Sequence, residues 1–197
     1  MRILFKNATI VTMNAQRDIF LGDLLVENSS ISAIGKNIKQ PADRVIDVGG
    51  NLLIPGLIQT HIHLCQTLFR GQADDLELLD WLKLKVWPLE GAHDPESLYD
   101  SALLGIGELF LGGTTTIVDM ETVHHTEHAF RAILESGLRA VSGKCMMDDP
   151  SGGVPQSLQE TTTDSLQESV DLYEKYDGAG NGRLEVAFTP RFAVSCT

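Results

Sequence analysis

From Asn51 onward the chain repeats one alternation, a short apolar or β-branched run followed by a longer stretch of helical spacing. Leu52–Thr60, Thr114–Met120, Leu138–Met146 and Leu184–Phe192 read as strands. Between the first two, Leu78–Val86 reads as a helix. Asp94-Pro95-Glu96 then opens another, with a capping side chain, a proline in the first turn and an acid near the positive end of the dipole. Leu98, Ala102, Ile106 and Leu109 follow at helical spacing until Gly112-Gly113 ends the run. Thr126–Ser136, stopped by Gly137, and Asp164–Tyr176, with Leu166, Val170 and Tyr173 on one face, read as the later helices. Strand followed by helix, repeated, implies parallel strands joined by crossovers. Four such strands make half of a (β/α)₈ barrel, and residues 52–197 fall well short of the roughly 250 of a complete one. An open doubly wound sheet is the rival, but no glycine-rich phosphate turn follows the first strand.

Residues 1–51 have a different texture. Residues 3–12, Asp23–Ile34 and Val45–Val48 read as short strands parted by Asn, Gly and Asp turns, without a helix. Two domains are therefore expected, 1–51 and 52–197. Apolar residues form 43% of the chain, enough for a substantial core. A formal charge of −12 argues against a nucleic-acid backbone or an anionic membrane as partner. No window approaches the roughly 18 apolar residues of a membrane span, and the first residues lack a signal-peptide layout. Cys65, Cys145 and Cys196 are odd in number and widely spaced, which fits free thiols in a reducing cytoplasm.

His61-Ile62-His63 closes the first apolar run. Side chains two apart on a strand leave it on the same side, so both imidazoles can face one divalent ion. At the carboxyl end of a barrel strand, where active sites lie, the pair reads as a shared metal site rather than as two structural histidines. His124 and His128 are spaced i, i+4 and could chelate a metal if one helix held both, although a solvated helix entrance is the simpler reading. His93 shows no partner in the sequence. Asp119 and Asp148 end strands, where turn capping is expected of each.

The stretch PGLIQTHIHLCQTLFRG, followed by DWLKLKVWPLE, resembles the first barrel strand and following loop of the amidohydrolase superfamily. It is most similar to the branch that deaminates 5′-deoxyadenosine, methylthioadenosine, adenosylhomocysteine and guanine, and to the triazine hydrolases. The resemblance implies an α/β chain built as the N-terminal part of a β-sandwich followed by the first half of a metal-dependent (β/α)₈ TIM barrel. It implies one divalent metal ion, zinc or iron, held by His61 and His63. The remaining ligands and the proton-shuttling glutamate belong to the fifth to eighth strands, so no catalytic residue is expected within this chain. The metal would lower the pKa of a bound water, whose hydroxide displaces ammonia from the purine.

The same resemblance makes Trp81 a substrate-packing residue and Glu90 an acceptor for ribose hydroxyls. Lys144 falls where relatives place an arginine for a substrate carboxylate. Arg191, in a Pro-Arg-Phe shared with guanine-type members, could donate to the purine or pair with Glu90. The expected activity is deamination of an adenosine-like nucleoside, with a small-molecule partner, a homo-oligomeric complete form and a cytoplasmic location. Guanine deamination and triazine hydrolysis are the alternatives within the family. A non-catalytic half-enzyme that needs a complementing chain is the alternative outside it. The H-x-E with P-C-x-x-C pair of the other zinc deaminases, the G-x-S-x-G elbow and the Walker loop are all missing from the sequence.

Overall fold

The apolar run expected as one strand over 52–60 is cut in two by Ile54-Pro55-Gly56. Its first residues pair with the amino-terminal sheet and its later ones open a separate sheet. The computed structural model describes residues 1–149 and 151–197, and it divides at that point into Met1–Gly56 and Leu57–Thr197.

The first unit is a five-stranded mixed sheet. Strand β1 (Arg2–Val11) pairs antiparallel with β2 (Ile19–Glu27), which pairs antiparallel with β3 (Ser30–Gly35). Strands β4 (Arg44–Asp47) and β5 (Leu52–Leu53) run parallel to β1 on its other edge. A bulge between Phe5 and Ala8 interrupts β1, with Asn7 in the left-handed region at φ 58°. Asp23 stabilises it from the neighbouring strand. Its buried carboxylate accepts the Asn7 N–H at 3.1 Å and the Ile38 N–H at 3.0 Å.

The second unit carries a four-stranded, all-parallel sheet. Strand β6 (Leu57–Ile62) runs into a 3₁₀ turn, Leu64–Phe69. Helix α1 (Leu78–Trp81) continues through a π-helical turn, Leu82–Val86, into α2 (Trp87–Glu90). Then come α3 (Pro95–Leu111), β7 (Thr114–Met120), α4 (Thr126–Ser136), β8 (Arg139–Gly143), β9 (Cys145–Met146), α5 (Thr162–Tyr176), a short helix α6 (Ala179–Gly182), β10 (Leu184–Val186) and β11 (Thr189–Pro190). The sheet order is β10-β8-β7-β6, and β11 pairs with β9 as a separate two-stranded piece. The third and fourth strands foreseen in the sequence are thus each broken, at Lys144 and at Ala187-Phe188.

Helix α3 starts as the sequence implies. Asp94 accepts the Ser97 N–H at 2.7 Å and the Ser97 hydroxyl accepts the Asp94 N–H at 3.0 Å, a reciprocal capping box. Gly137 at φ 79° ends α4, a conformation that suits a residue without Cβ. Leu98, Ala102 and Ile106 of α3 pack with Ala129, Phe130 and Ile133 of α4 and Leu172 of α5. Ile117, Ala140 and Leu184, from three strands, complete that core. Val118, which alternation turns to the opposite face, is 41% exposed.

Strand β6 departs from expectation in its burial. The run reads as a buried strand, yet Leu57 is 50% and Ile58 66% exposed. The reason is position. β6 ends the sheet order, and no strand pairs with its outer edge among the described residues. No helix among them is long and apolar enough to cross a membrane.

Candidate active site

His61 lies on β6 and His63 just beyond its end, with ring centroids 5.3 Å apart and planes crossed at 86°. His63 Nδ1 lies 2.9 Å from the Met120 carbonyl oxygen. A carbonyl only accepts, so Nδ1 carries the hydrogen in that bond and Nε2 keeps a free lone pair. The end of β7 therefore fixes both the tautomer and the ring orientation of a residue on β6.

A buried pair of acids supports this strand end. Asp119 accepts the Leu64 N–H at 3.0 Å and the Ser142 hydroxyl at 2.6 Å, tying the residue after His63 to β7 and β8. The turn-capping expected of Asp119 becomes a three-element tie. Burial raises the pKa of Asp119, opposed by the hydrogen bonds it accepts from Ser142 and Leu64. Glu121 is 1% exposed, and among the described residues neither of its oxygens has a hydrogen-bond partner. Burial and the neighbouring Asp119 charge push it well above the carboxylate range, so Glu121 is the member that keeps the proton.

Glu90 is no surface residue. It is 3% exposed, and its carboxylate is held by two side chains from distant parts of the chain. Arg191, after β11, reaches Glu90 Oε2 at 2.7 Å and Oε1 at 3.2 Å, and Gln66, in the turn after His63, donates to Oε1 at 2.8 Å. Burial works against the Arg191 charge, but Glu90 outweighs it and holds the guanidinium protonated above its usual range. Of the two expectations for Arg191, the structure realises the pairing with Glu90. Buried Cys65 and Cys145 lie against the pair, at 3.9 Å from Glu90 Oε1 and 3.8 Å from the guanidinium. Burial pushes the Cys145 thiol up to about 12 and Cys65 well above its ordinary value, so neither supplies a thiolate.

Trp81, half-buried, lines a cavity of about 530 Å³ with His63, Gln66, Val86, Leu89 and Lys85. Glu90 and Arg191 are not among the lining residues, and Gln66 stands between them and the cavity. Lys144, expected to meet a substrate carboxylate, instead sits 1% exposed in a direct ion pair with Glu160, with Glu168 3.5 Å away. A lysine buried this deeply at neutral pH needs a counter-ion, and the loop ahead of α5 supplies one.

The other histidines separate. His125 takes φ 66° and α4 begins only at Thr126, so His124 lies off the helix that carries His128. Among the described residues no three His, Cys, Asp or Glu side chains converge as a metal cluster. His93 has partners after all. Its Nε2 lies 2.8 Å from the Cys65 carbonyl, its Nδ1 3.0 Å from the Ser97 hydroxyl, and its ring stacks on Phe69 at 5.1 Å. Asp148, expected to cap a turn, instead ties distant segments, accepting the Thr197 N–H at 2.9 Å and the Thr162 hydroxyl at 2.5 Å. Gln66, Glu121 and Glu160 escaped the sequence reading. Only Gln66, three residues past His63 in the 3₁₀ turn, carried a positional hint.

A parallel sheet flanked by helices, with paired imidazoles and a clamped carboxylate gathered at its carboxyl ends, defines an α/β protein of the strand-end-site class. The Amidohydrolase family profile matches residues 52–197, and the chain belongs to that family. It is 40% identical over 189 residues to a 5′-deoxyadenosine deaminase of Methanobrevibacter smithii, covering 95% of this chain and 41% of the relative. It is 36% identical to a 5-methylthioadenosine/S-adenosylhomocysteine deaminase of Carboxydothermus hydrogenoformans, covering 98% and 43%. A guanine deaminase from C. acetobutylicum, solved with guanine in its active site, superposes with a TM-score of 0.88 at 26% identity, covering 100% of this chain and 48% of that one. The chain thus spans less than half the length of these relatives.

Proposed function

We propose that this chain carries the metal-anchoring strand and part of the substrate wall of an aminohydrolase acting on an adenosine-like nucleoside, with 5′-deoxyadenosine and methylthioadenosine foremost. In the overall reaction water adds at the ring carbon bearing the exocyclic amine, the C–N bond breaks, and ammonia leaves. On this reading Met1–Gly56 is part of a β-sandwich and Leu57–Thr197 supplies the first four strands of a (β/α)₈ barrel. The names of the relatives support the reaction class.

The observation that carries the reading is the histidine pair. Two imidazoles on one tetrahedral ion place their ring centres about 5 Å apart, given metal–nitrogen bonds near 2.0–2.1 Å. The spacing here is 5.3 Å, and the Met120 carbonyl leaves His63 Nε2 free to ligate. Neutral imidazoles suit zinc or ferrous iron. Such an ion supplies Lewis acidity and lowers the pKa of water at neutral pH. The chain's own groups orient and enclose. His61 and His63 anchor the ion, Trp81 offers a flat apolar wall to the base, and Gln66 presents its amide to the cavity. Glu90 and Arg191 hold that amide in place. Ribose contact with Glu90 would require its carboxylate to exchange the Gln66 donor for a hydroxyl.

The test is ammonia release from 5′-deoxyadenosine, methylthioadenosine, guanine and a chlorotriazine by the zinc-loaded polypeptide that its gene encodes. Release from the adenosine analogues, abolished in His63→Ala, is expected. Turnover of guanine or the triazine alone would move the activity to those relatives' chemistry. No turnover by any preparation, with the chain requiring a second polypeptide, would favour the half-enzyme reading.

A further inference from the structure

We infer that His93, which lies outside the cavity, is a positioning residue that fixes the wall formed by Gln66, Thr67 and Phe69. The inference rests on the aminohydrolase reading above for what binds against that wall, and it adds a residue to the site. His93 does not line the cavity, but those three residues do, and all three ride on the 3₁₀ turn Leu64–Phe69. So short a turn has few hydrogen bonds of its own, and its placement depends on what it is seated against. Helix α3 supplies part of the seat. The Ser101 hydroxyl donates to the Leu64 carbonyl at 2.8 Å, and a Cβ on Gly105 would come within 2.6 Å of Thr67 Oγ1. These contacts hold the turn at Leu64 and Thr67. His93 holds it at Cys65, the residue before Gln66, and at Phe69.

The imidazole makes three contacts at once. Its Nε2 lies 2.8 Å from the Cys65 carbonyl oxygen, which only accepts, so the hydrogen of the neutral ring sits on Nε2. Nδ1 is then an acceptor, 3.0 Å from the Ser97 hydroxyl. Ser97 has that hydrogen to give, because its oxygen receives the Asp94 N–H in the capping box of α3. The ring face meets the Phe69 ring with centroids 5.1 Å apart and planes 29° apart. A donor and an acceptor on separate atoms of one flat ring are a combination particular to histidine. Glu90 sets the direction of the Gln66 amide, and His93 sets the backbone from which that amide springs.

Ammonia release from 5′-deoxyadenosine is followed for the zinc-loaded polypeptide, as its gene encodes it, and for His93→Leu and His93→Gln. Leucine fills the space without a donor, whereas the glutamine amide nitrogen can reach the place of Nε2. A displaced wall weakens ground state and transition state alike. KM should therefore rise about tenfold in His93→Leu, the worth of one well-made hydrogen bond, with kcat kept within about twofold. His93→Gln should bring KM back to within about threefold of the unaltered protein. A merely structural loss would lower the active fraction, and with it kcat, and leave KM alone. Hydrogen exchange gives a readout that needs no turnover. The amides of residues 64–69 should exchange about tenfold faster in His93→Leu, with those of β8 unchanged. If His93→Leu does not fold, His93→Asn, whose amide falls short of Cys65, takes its place. An unaltered KM in the folded variant overturns the inference. If no preparation deaminates a nucleoside, the aminohydrolase reading fails and exchange alone decides. Faster exchange confined to the turn then upholds the positioning of this wall, and unaltered exchange overturns it.

Discussion

Replacing Arg191 by methionine removes the stem's charge while keeping most of its length, and it isolates the worth of the Glu90 clamp. Arg191 supplies two of the hydrogen bonds into the Glu90 carboxylate, at 2.7 and 3.2 Å, from a site where the side chains are 6% and 1% exposed. Screening by water is slight at such burial, and among the described residues the abandoned carboxylate keeps the Gln66 amide and the weak Cys65 thiol donor. Breaking one side of a buried pair costs about 3–5 kcal/mol. With a urea slope of about 2 kcal/mol per molar, the unfolding midpoint should fall by roughly 1.5–2.5 M. Both tryptophans, Trp81 and Trp87, lie within Leu57–Thr197, so indole fluorescence follows that unit alone. The double change Arg191→Met with Glu90→Leu should recover most of the loss, since an apolar pair of similar volume replaces an ion pair at little cost. A single variant that costs less than about 1 kcal/mol would refute the reasoning, because it would put the pair in the range of solvated surface bridges. So would a double variant whose loss equals the sum of the singles, since no coupling would then exist.

Three other outcomes follow from particular contacts. Gly143→Ala would place a Cβ 2.0 Å from the Ala187 carbonyl oxygen, so β8 and β10 must part. The expected loss is about 3 kcal/mol in the same urea titration, and a loss below about 0.5 would contradict that packing. Asp94→Ala removes half of the α3 capping box and should cost about 1 kcal/mol, with Asp94→Asn closer to neutral. Asp148, held down to about 2 by the Thr162 and Thr197 hydroxyls and the Thr197 amide, stabilises the fold above its ordinary 3.8. That contribution is lost as pH falls through about 2, and Asp148→Asn should flatten this acid limb of a thermal-melt pH series. The effect will be modest, because water reaches the carboxylate.

The sequence made legible those features that depend on near neighbours. Strand period two put His61 and His63 on one side, Asp94-Pro95 marked the start of α3, and Gly137 marked the end of α4. Features that depend on distant partners were legible at most as alternatives. Pairing of Arg191 with Glu90, 101 residues away, stood as one of two options, and the tie from Lys144 to Glu160, 16 residues on across a polar loop, went unread because local pattern does not link them. That is why Lys144 looked free for a substrate when the fold had already committed it. The exposure of Ile58 was hidden for a related reason. Hydrophobicity says which residues prefer burial, but the sheet order decides whether a neighbour arrives to cover them. Pro55-Gly56 did signal where the apolar run would break, and the continuity of leucine and isoleucine around it obscured the signal.

The π-helical turn at Leu82–Val86 sets the phase between one wall of the cavity and the carboxylate clamp behind it. A π turn holds one residue more than an α turn, equivalent to a single insertion that the helix absorbs without ending. Trp81 stands before that extra residue and Glu90 after it. Deleting one residue from the turn would leave a longer, more regular α-helix, yet it would rotate Trp81 relative to Glu90 by about 100°. The indole would then leave the cavity wall while the clamp on Gln66 stayed in place. Local helical regularity and correct aim are in conflict here, and the chain has kept the aim.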